Sequence, residues 1–162
     1  MVDRLLTLNA VAPVQLARAA LPGMLAAGEG AVVTVASLLA FSAGQDNPHM
    51  PRRTLYAAAK AATVAFTRTL AGELTGTGVR ALVVCPGIVA TEWNDGYGYG
   101  VPSAMSPQDV AAVGLAGLRL GETVCVPGLE DQEAALKSLL DSEAALMDGG
   151  ARKAPATRYR QP

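Results

Sequence analysis

The sequence predicts an α/β protein: a parallel sheet of about three strands, doubly wound by helices on its flanks. Three observations carry the prediction. Short β-branched apolar runs recur at 31–36, 79–85 and 123–126. Segments with apolar residues at helical spacing lie before and between them. The strand ends lead into serine, proline or glycine, the residues that turn a chain. Strands alternating with long helices make parallel pairing the expected arrangement.

Size and composition frame the rest. The chain has 162 residues, 51% hydrophobic and 17% charged, with a formal net charge of −1. That is enough apolar surface for one sizeable core, which we expect over residues 1–148, with 149–162 as a tail. No basic cluster precedes the tail, so charge gives no reason to expect nucleic acid or an anionic membrane as partner. Small neutral molecules fit better. No unbroken apolar run reaches the roughly 18 residues of a membrane span, and Met1-Val2-Asp3-Arg4 opens no signal-peptide pattern, which points to the cytoplasm. Cys85 and Cys125 lie in apolar strand-like runs and read as buried small hydrophobes. A single histidine argues against a metal site.

From Asp3 to about Ala27 the apolar positions Leu5, Leu8, Val11, Ala12, Leu16, Ala19 and Ala20 keep helical spacing, and Gly28 stops the helix. Pro13 lies inside it. A proline gives no N–H to the carbonyl four residues earlier, here that of Asn9, so the sequence itself frees the Asn9 oxygen. Ala31–Ala36 reads as a strand buried on both faces. It ends at Ser37, on the edge of an open sheet where ligands bind, although a serine there can also simply cap the next turn. Leu38 to Arg53 is a loop containing Gly44, Asp46, Asn47, Pro48 and Pro51, and His49 within it reads as solvated or substrate-facing.

Thr54 to about Leu74 forms a second long helix, leaving through Thr75-Gly76-Thr77-Gly78, and Ala57 to Ala59, Ala61, Ala62 and Ala65 give it a smooth flank. Val79–Cys85 is the next buried strand, followed by Pro86-Gly87-Ile88-Val89-Ala90-Thr91. Glu92–Met105 is irregular and holds Trp93, Tyr97 and Tyr99. Ser106 caps a helix opened by Pro107 and running to about Leu120. Thr123–Val126 is a short last strand closed by Pro127-Gly128. Glu130–Met147 is an acidic amphipathic helix, and from Gly149 onward the chain reads as a disordered tail.

Chemistry concentrates in Tyr56 and Lys60. Residues at i and i+4 share a helix face, so an ammonium at Lys60 can favour the phenolate of Tyr56. Moving a phenol from about 10 to near 7 takes about 4 kcal/mol of differential stabilisation, within reach of one cation in a partly dry site. Alone, such a pair is also an ordinary feature of a helix surface. Its company is Ser37 after an apolar strand, Asn9 upstream, and Pro86-Gly87-Ile88-Val89-Ala90-Thr91 after the next strand.

This combination resembles the short-chain dehydrogenase/reductase family, from about Leu5 to Gly128. The resemblance implies a Rossmann-like sheet and hydride transfer between NAD or NADP and a small-molecule alcohol or carbonyl compound. It makes Tyr56 the general acid/base, and Lys60 the residue that lowers the Tyr56 pKa and holds the cofactor ribose. Ser37 becomes the hydrogen-bond partner of the reacting oxygen, and the Asn9 backbone carbonyl the anchor of a water that passes protons toward Lys60. Pro86 and Gly87 shape the turn in which the Ile88 backbone and the Thr91 hydroxyl hold the nicotinamide carboxamide. The family builds its substrate lid where residues 92–105 lie, and pairs the helices corresponding to Val2–Ala27 and Thr54–Leu74 with a second subunit, implying a homodimer or tetramer. The loop 38–53 is longer than the family usually places between serine and tyrosine.

The glycine-rich turn that seats a pyrophosphate at a helix N-terminus is missing. Gly96-Tyr97-Gly98-Tyr99-Gly100 lacks the spacing and follows no strand. Relative to the family, the chain starts at the midpoint of the domain, with the N-terminal half absent and one sheet edge left open. Two other functions compete. One is a non-catalytic remnant or helper subunit acting through its helical dimer surface. The other is a serine hydrolase using Ser37 and His49, against which stands the absence of a Gly-x-Ser-x-Gly elbow.

Overall fold

The long apolar segment before Gly28 forms a helix that widens where Pro13 removes a donor. The structure, a computed structural model, describes residues 2–46 and 52–160. In it α1 (Val2–Leu6) passes through a π turn at Thr7–Val11 into α2 (Ala12–Ala27). The N–H of Ala12 reaches back to the Thr7 carbonyl, and one such wide turn is how a helix absorbs a missing bond. Gly28 then ends α2 at a φ of 70°, its N–H bonded to the carbonyls of Leu25 and Met24.

Three parallel strands follow in the order β1 (Gly30–Val35), β2 (Val79–Val84) and β3 (Val124–Cys125). Gly30 pairs with Val79 and Val35 with Val84; Val83 and Val84 pair with Val124 and Cys125. Between β1 and β2 runs α3 (Thr54–Glu73), and between β2 and β3 lie α4 (Trp93–Gly96) and α5 (Pro107–Leu120). Period-2 alternation sorts the strand residues onto two faces. On one face Val32, Val79 and Ala81 pack with Ala17 of α2 and with Leu70 and Leu74 at the end of α3. On the other, Leu82, Val84 and Cys125 pack under Val110, Val113 and Leu118. Both cysteines are buried and free.

The β1 strand departs from its sequence reading. Its residues are not buried on both faces: Val33 is 42% and Val35 55% exposed. α5 packs on β2 and β3, and among the described residues no helix covers that face of β1, nor does a strand pair with its outer edge. A tight junction fixes the start of β2 instead. Gly78 has a φ of 76°, and a Cβ there would collide with the Gly28 carbonyl oxygen, so only glycine lets the α3–β2 turn rest on the end of α2.

Two further expectations change. Val2–Ala27 is, by length and composition, a helix long and apolar enough to cross a membrane, although Asp3, Arg4 and Arg18 interrupt its apolar residues. Here one flank of it packs on β1 and α3. Glu92–Met105 is likewise not irregular throughout, since α4 is followed by a 3-10 turn at Tyr97–Gly100.

The chain divides into two compact units between Gly128 and Leu129. The second holds α6 (Gln132–Gly150), which buries none of its residues and is capped by Asp131, whose carboxylate accepts from the Ala134 N–H at 3.2 Å. The expected tail therefore begins inside a helix. Beyond it, Thr157–Tyr159 makes a 3-10 turn, and Arg160 Nε donates to the Pro155 carbonyl at 2.7 Å.

Candidate active site

Ser37 is placed by the continuation of β1. The Ala36 N–H donates to the Val84 carbonyl at 2.8 Å and the Leu38 N–H to the Pro86 carbonyl at 2.9 Å, so Ser37 is held between two cross-strand bonds at the C-terminal edge of the sheet. Its Oγ accepts from the Leu39 N–H at 3.2 Å and caps a 3-10 turn at Leu38–Phe41. The plain capping role is therefore real. The same side chain lies near enough to Tyr56 to pull its phenol pKa downward, and it is buried.

Tyr56 stands in the first turn of α3 and Lys60 one turn later. The Lys60 ammonium lies 5.6 Å from the centre of the Tyr56 ring and donates to the Val35 carbonyl, the last of β1, at 2.9 Å. Deeper along the helix, Thr67 Oγ1 and Thr34 Oγ1 of β1 are 2.7 Å apart. α3 is thus tied to β1 by one lysine and one threonine on the same flank, and Ser37, Tyr56 and Lys60 converge where β1 ends.

The electrostatics run against one expectation. Burial pushes the Tyr56 phenol above its ordinary 10.0, and the Ser37 side chain pulls it only partly back. Lys60 does not make the phenol acidic here. Its cation faces the ring and is docked on a carbonyl, while loss of water around the hydroxyl outweighs it. Burial also lowers the Lys60 pKa, with Cys85 opposing. Cys85 itself is pushed up to about 12, first by burial and then by Cys125, against the pull of Ser37 and Lys60. At neutral pH the site holds a protonated phenol and a protonated thiol.

Asn9 reaches the same helix. Its backbone oxygen, freed by Pro13, accepts from Thr63 Oγ1 at 2.7 Å, and its side-chain amide donates to the Leu5 carbonyl at 3.0 Å. The Pro86–Thr91 segment lies across the sheet edge. Its Ile88 carbonyl accepts from the Met105 N–H at 3.0 Å, and its Ala90 N–H donates to the Met105 carbonyl at 3.0 Å. Thr91 Oγ1 accepts from the Trp93 N–H at 3.3 Å. Near Gly87 the adjacent wall is a methyl of Leu38.

One contact escaped the sequence reading. The Trp93 ring lies 5.8 Å from that of Tyr56, tilted by 34°, so the segment beyond Thr91 folds back over the phenol. Close packing allows it: a Cβ at Gly98 would collide with the Val89 carbonyl oxygen, so only glycine lets residues 93–100 rest against the Pro86–Thr91 turn. His49, with Asn47, Pro48 and Pro51, lies outside the described residues.

The donor set suits part of a nicotinamide nucleotide. Lys60 is a buried cation with up to three N–H donors, directed at a carbonyl and not at a carboxylate, the kind of group that binds neutral hydroxyls.

Comparison with known proteins agrees with the fold. The family model described as short chain dehydrogenase matches residues 1–98. The chain is 32% identical over 149 residues to 2-(S)-hydroxypropyl-CoM dehydrogenase 3 of Xanthobacter autotrophicus, covering 92% of this chain and 54% of that one. It is 38% identical over 88 residues to the inactive 2-(S)-hydroxypropyl-CoM dehydrogenase 2 of the same organism, covering 54% of this chain and 36% of the relative. Among solved structures, a short-chain dehydrogenase from Sphingobium yanoikuyae in complex with NADPH superposes with a TM-score of 0.85 at 28% identity, over 98% of this chain and 60% of that one. The chain therefore spans about half the length, or less, of these curated relatives. With its three-stranded parallel sheet, flanking helices and matching residues 1–98, the chain belongs to the short-chain dehydrogenase family.

Proposed function

We propose that these residues form the proton-transfer half of a nicotinamide-dependent oxidoreductase that interconverts a small carbonyl compound and an alcohol. The observation that carries this is the convergence of Ser37, Tyr56 and Lys60 at the end of β1. A phenol held protonated is ready to donate, so Tyr56 acts as the general acid toward a carbonyl oxygen. The Ser37 hydroxyl orients that oxygen beside it. Lys60 holds the ribose hydroxyls of NAD or NADP, and the Asn9 carbonyl anchors a water that returns protons toward Lys60. Ile88 and Thr91, in the turn opened by Pro86 and Gly87, hold the carboxamide. When bound, the nicotinamide supplies the hydride. The Trp93 ring, 5.8 Å from that of Tyr56, forms one wall beside the phenol.

The exposed apolar residues Leu8, Val11 and Leu16 of the first helix and Leu55 of α3 support self-association through these helices as a homodimer or tetramer, in the cytoplasm. The test is direct. The chain, complemented with a glycine-rich N-terminal half of the family, is mixed with NADPH or NADH and a series of ketones, and nicotinamide absorbance is followed. Tyr56→Phe should abolish turnover with an unchanged unfolding midpoint; a Tyr56→Phe chain that keeps the full rate would refute the assignment.

A relative named as inactive favours a second reading, a non-catalytic subunit that keeps the helical surface. That reading expects no change in nicotinamide fluorescence on titration, together with a stable oligomer.

A further inference from the structure

Pro13 leaves the Asn9 carbonyl without its helical donor, and the replacement comes from a different helix. Thr63 Oγ1 is 2.7 Å from the Asn9 oxygen and 3.3 Å from the Ala59 oxygen. A hydroxyl has one proton to give. The Ala59 carbonyl lies inside α3, where the helix ladder supplies a donor, so the shorter bond across the interface takes the proton. Thr63 itself is 1% exposed, so its hydroxyl is committed to these protein partners. Threonine is an indifferent helix former, and its hydroxyl here serves a partner 54 positions away in sequence. It stands one turn beyond Lys60, and Thr67 one turn further makes the matching tie to β1.

We propose that Thr63 is a positioning residue whose hydroxyl replaces the donor withheld by Pro13, fixing the π turn and the Asn9 carbonyl against the helix that carries Tyr56 and Lys60. The positioning role rests on the function proposed above, in which the second lone pair of the Asn9 oxygen holds the water that serves Lys60. The hydroxyl tie itself does not rest on it.

Two readouts need neither turnover nor cofactor: amide exchange at Ala12, whose N–H closes the π turn on Thr7, and the NMR titration of the Lys60 side chain. Thr63→Val keeps the shape and removes the donor. In the full chain it should speed Ala12 exchange roughly five- to hundredfold, the cost of leaving a part-buried carbonyl without its donor. It should also move the Lys60 midpoint further down, because a carbonyl-anchored water favours the ammonium. Thr63→Ser should restore both. Pro13→Ala, which gives Asn9 back its helical donor, should shrink the effect of Thr63→Val on Ala12.

Unchanged Ala12 exchange in Thr63→Val would overturn the tie. Faster exchange with an unmoved Lys60 midpoint would overturn the positioning role. An effect undiminished by Pro13→Ala would show that the hydroxyl does not substitute for the lost N–H. Full turnover in Tyr56→Phe would remove the catalytic reading while leaving the exchange result standing, so the two failures are distinguishable.

Discussion

Removing the Thr67 hydroxyl should cost more than removing the Thr34 hydroxyl that it meets, and removing both should cost least. Thr67 is fully buried and Thr34 is 6% exposed. Thr67 Oγ1 has a second partner, the Thr63 carbonyl at 2.9 Å, whereas the bond to Thr67 at 2.7 Å is the side-chain bond we find for Thr34. Thr34→Val therefore leaves Thr67 still bonded, a loss of about 1 kcal/mol. Thr67→Val strands a buried hydroxyl, at about 2 kcal/mol. In the double variant two methyls meet where two hydroxyls did, and the total should return to about 1 kcal/mol or less. At this chain length each kcal/mol is roughly 2–4 °C in midpoint. Urea unfolding of the four proteins would read a coupling of about 2 kcal/mol. Additive costs of about 3 kcal/mol in the double variant would refute the link, and with it the idea that this pair sets the register of α3 on β1.

Other outcomes follow from single contacts. Gly78→Ala combines a φ of 76° with a collision at the Gly28 carbonyl and should cost about 2–5 kcal/mol. Gly44→Ala, at a φ of 72° with open space around it, should cost only about 1 kcal/mol; equal losses on thermal unfolding would contradict the close approach. Stability should also fall in alkali. Cys85 shifts from 9.0 to about 12 on folding, a raised value that favours the protonated thiol. Its contribution is intact below pH 9.0, is lost as pH rises toward about 12, and is joined by Tyr56 above 10.0. Cys85→Ala should flatten that slope, and an unchanged slope would show that the thiol is not held neutral.

Much of this was legible in the sequence for local reasons. Pro13 alone locates the widened turn, Ser106 and Pro107 locate the start of α5, and Tyr56 with Lys60 share a flank because of helix geometry. What was not legible depends on what covers each element. Apolar β1 looked buried on both faces, but Val33 and Val35 lie on a face that α5 covers only over β2 and β3. Whether Lys60 acidifies Tyr56 depends on where its ammonium is bonded and on how dry the phenol is, and spacing states neither. Thr63 and Trp93 act across long sequence separations, one on Asn9 and the other on Tyr56, and nothing in their neighbours marks them.

The most direct test is the titration of the Tyr56 phenol itself, read as the difference in near-ultraviolet phenolate absorbance between the protein and its Tyr56→Phe variant as pH is raised. A midpoint above 10.0 that climbs further in Ser37→Ala would show a buried acid steadied by its serine. A midpoint below 10.0, or one indifferent to Ser37→Ala, would contradict it.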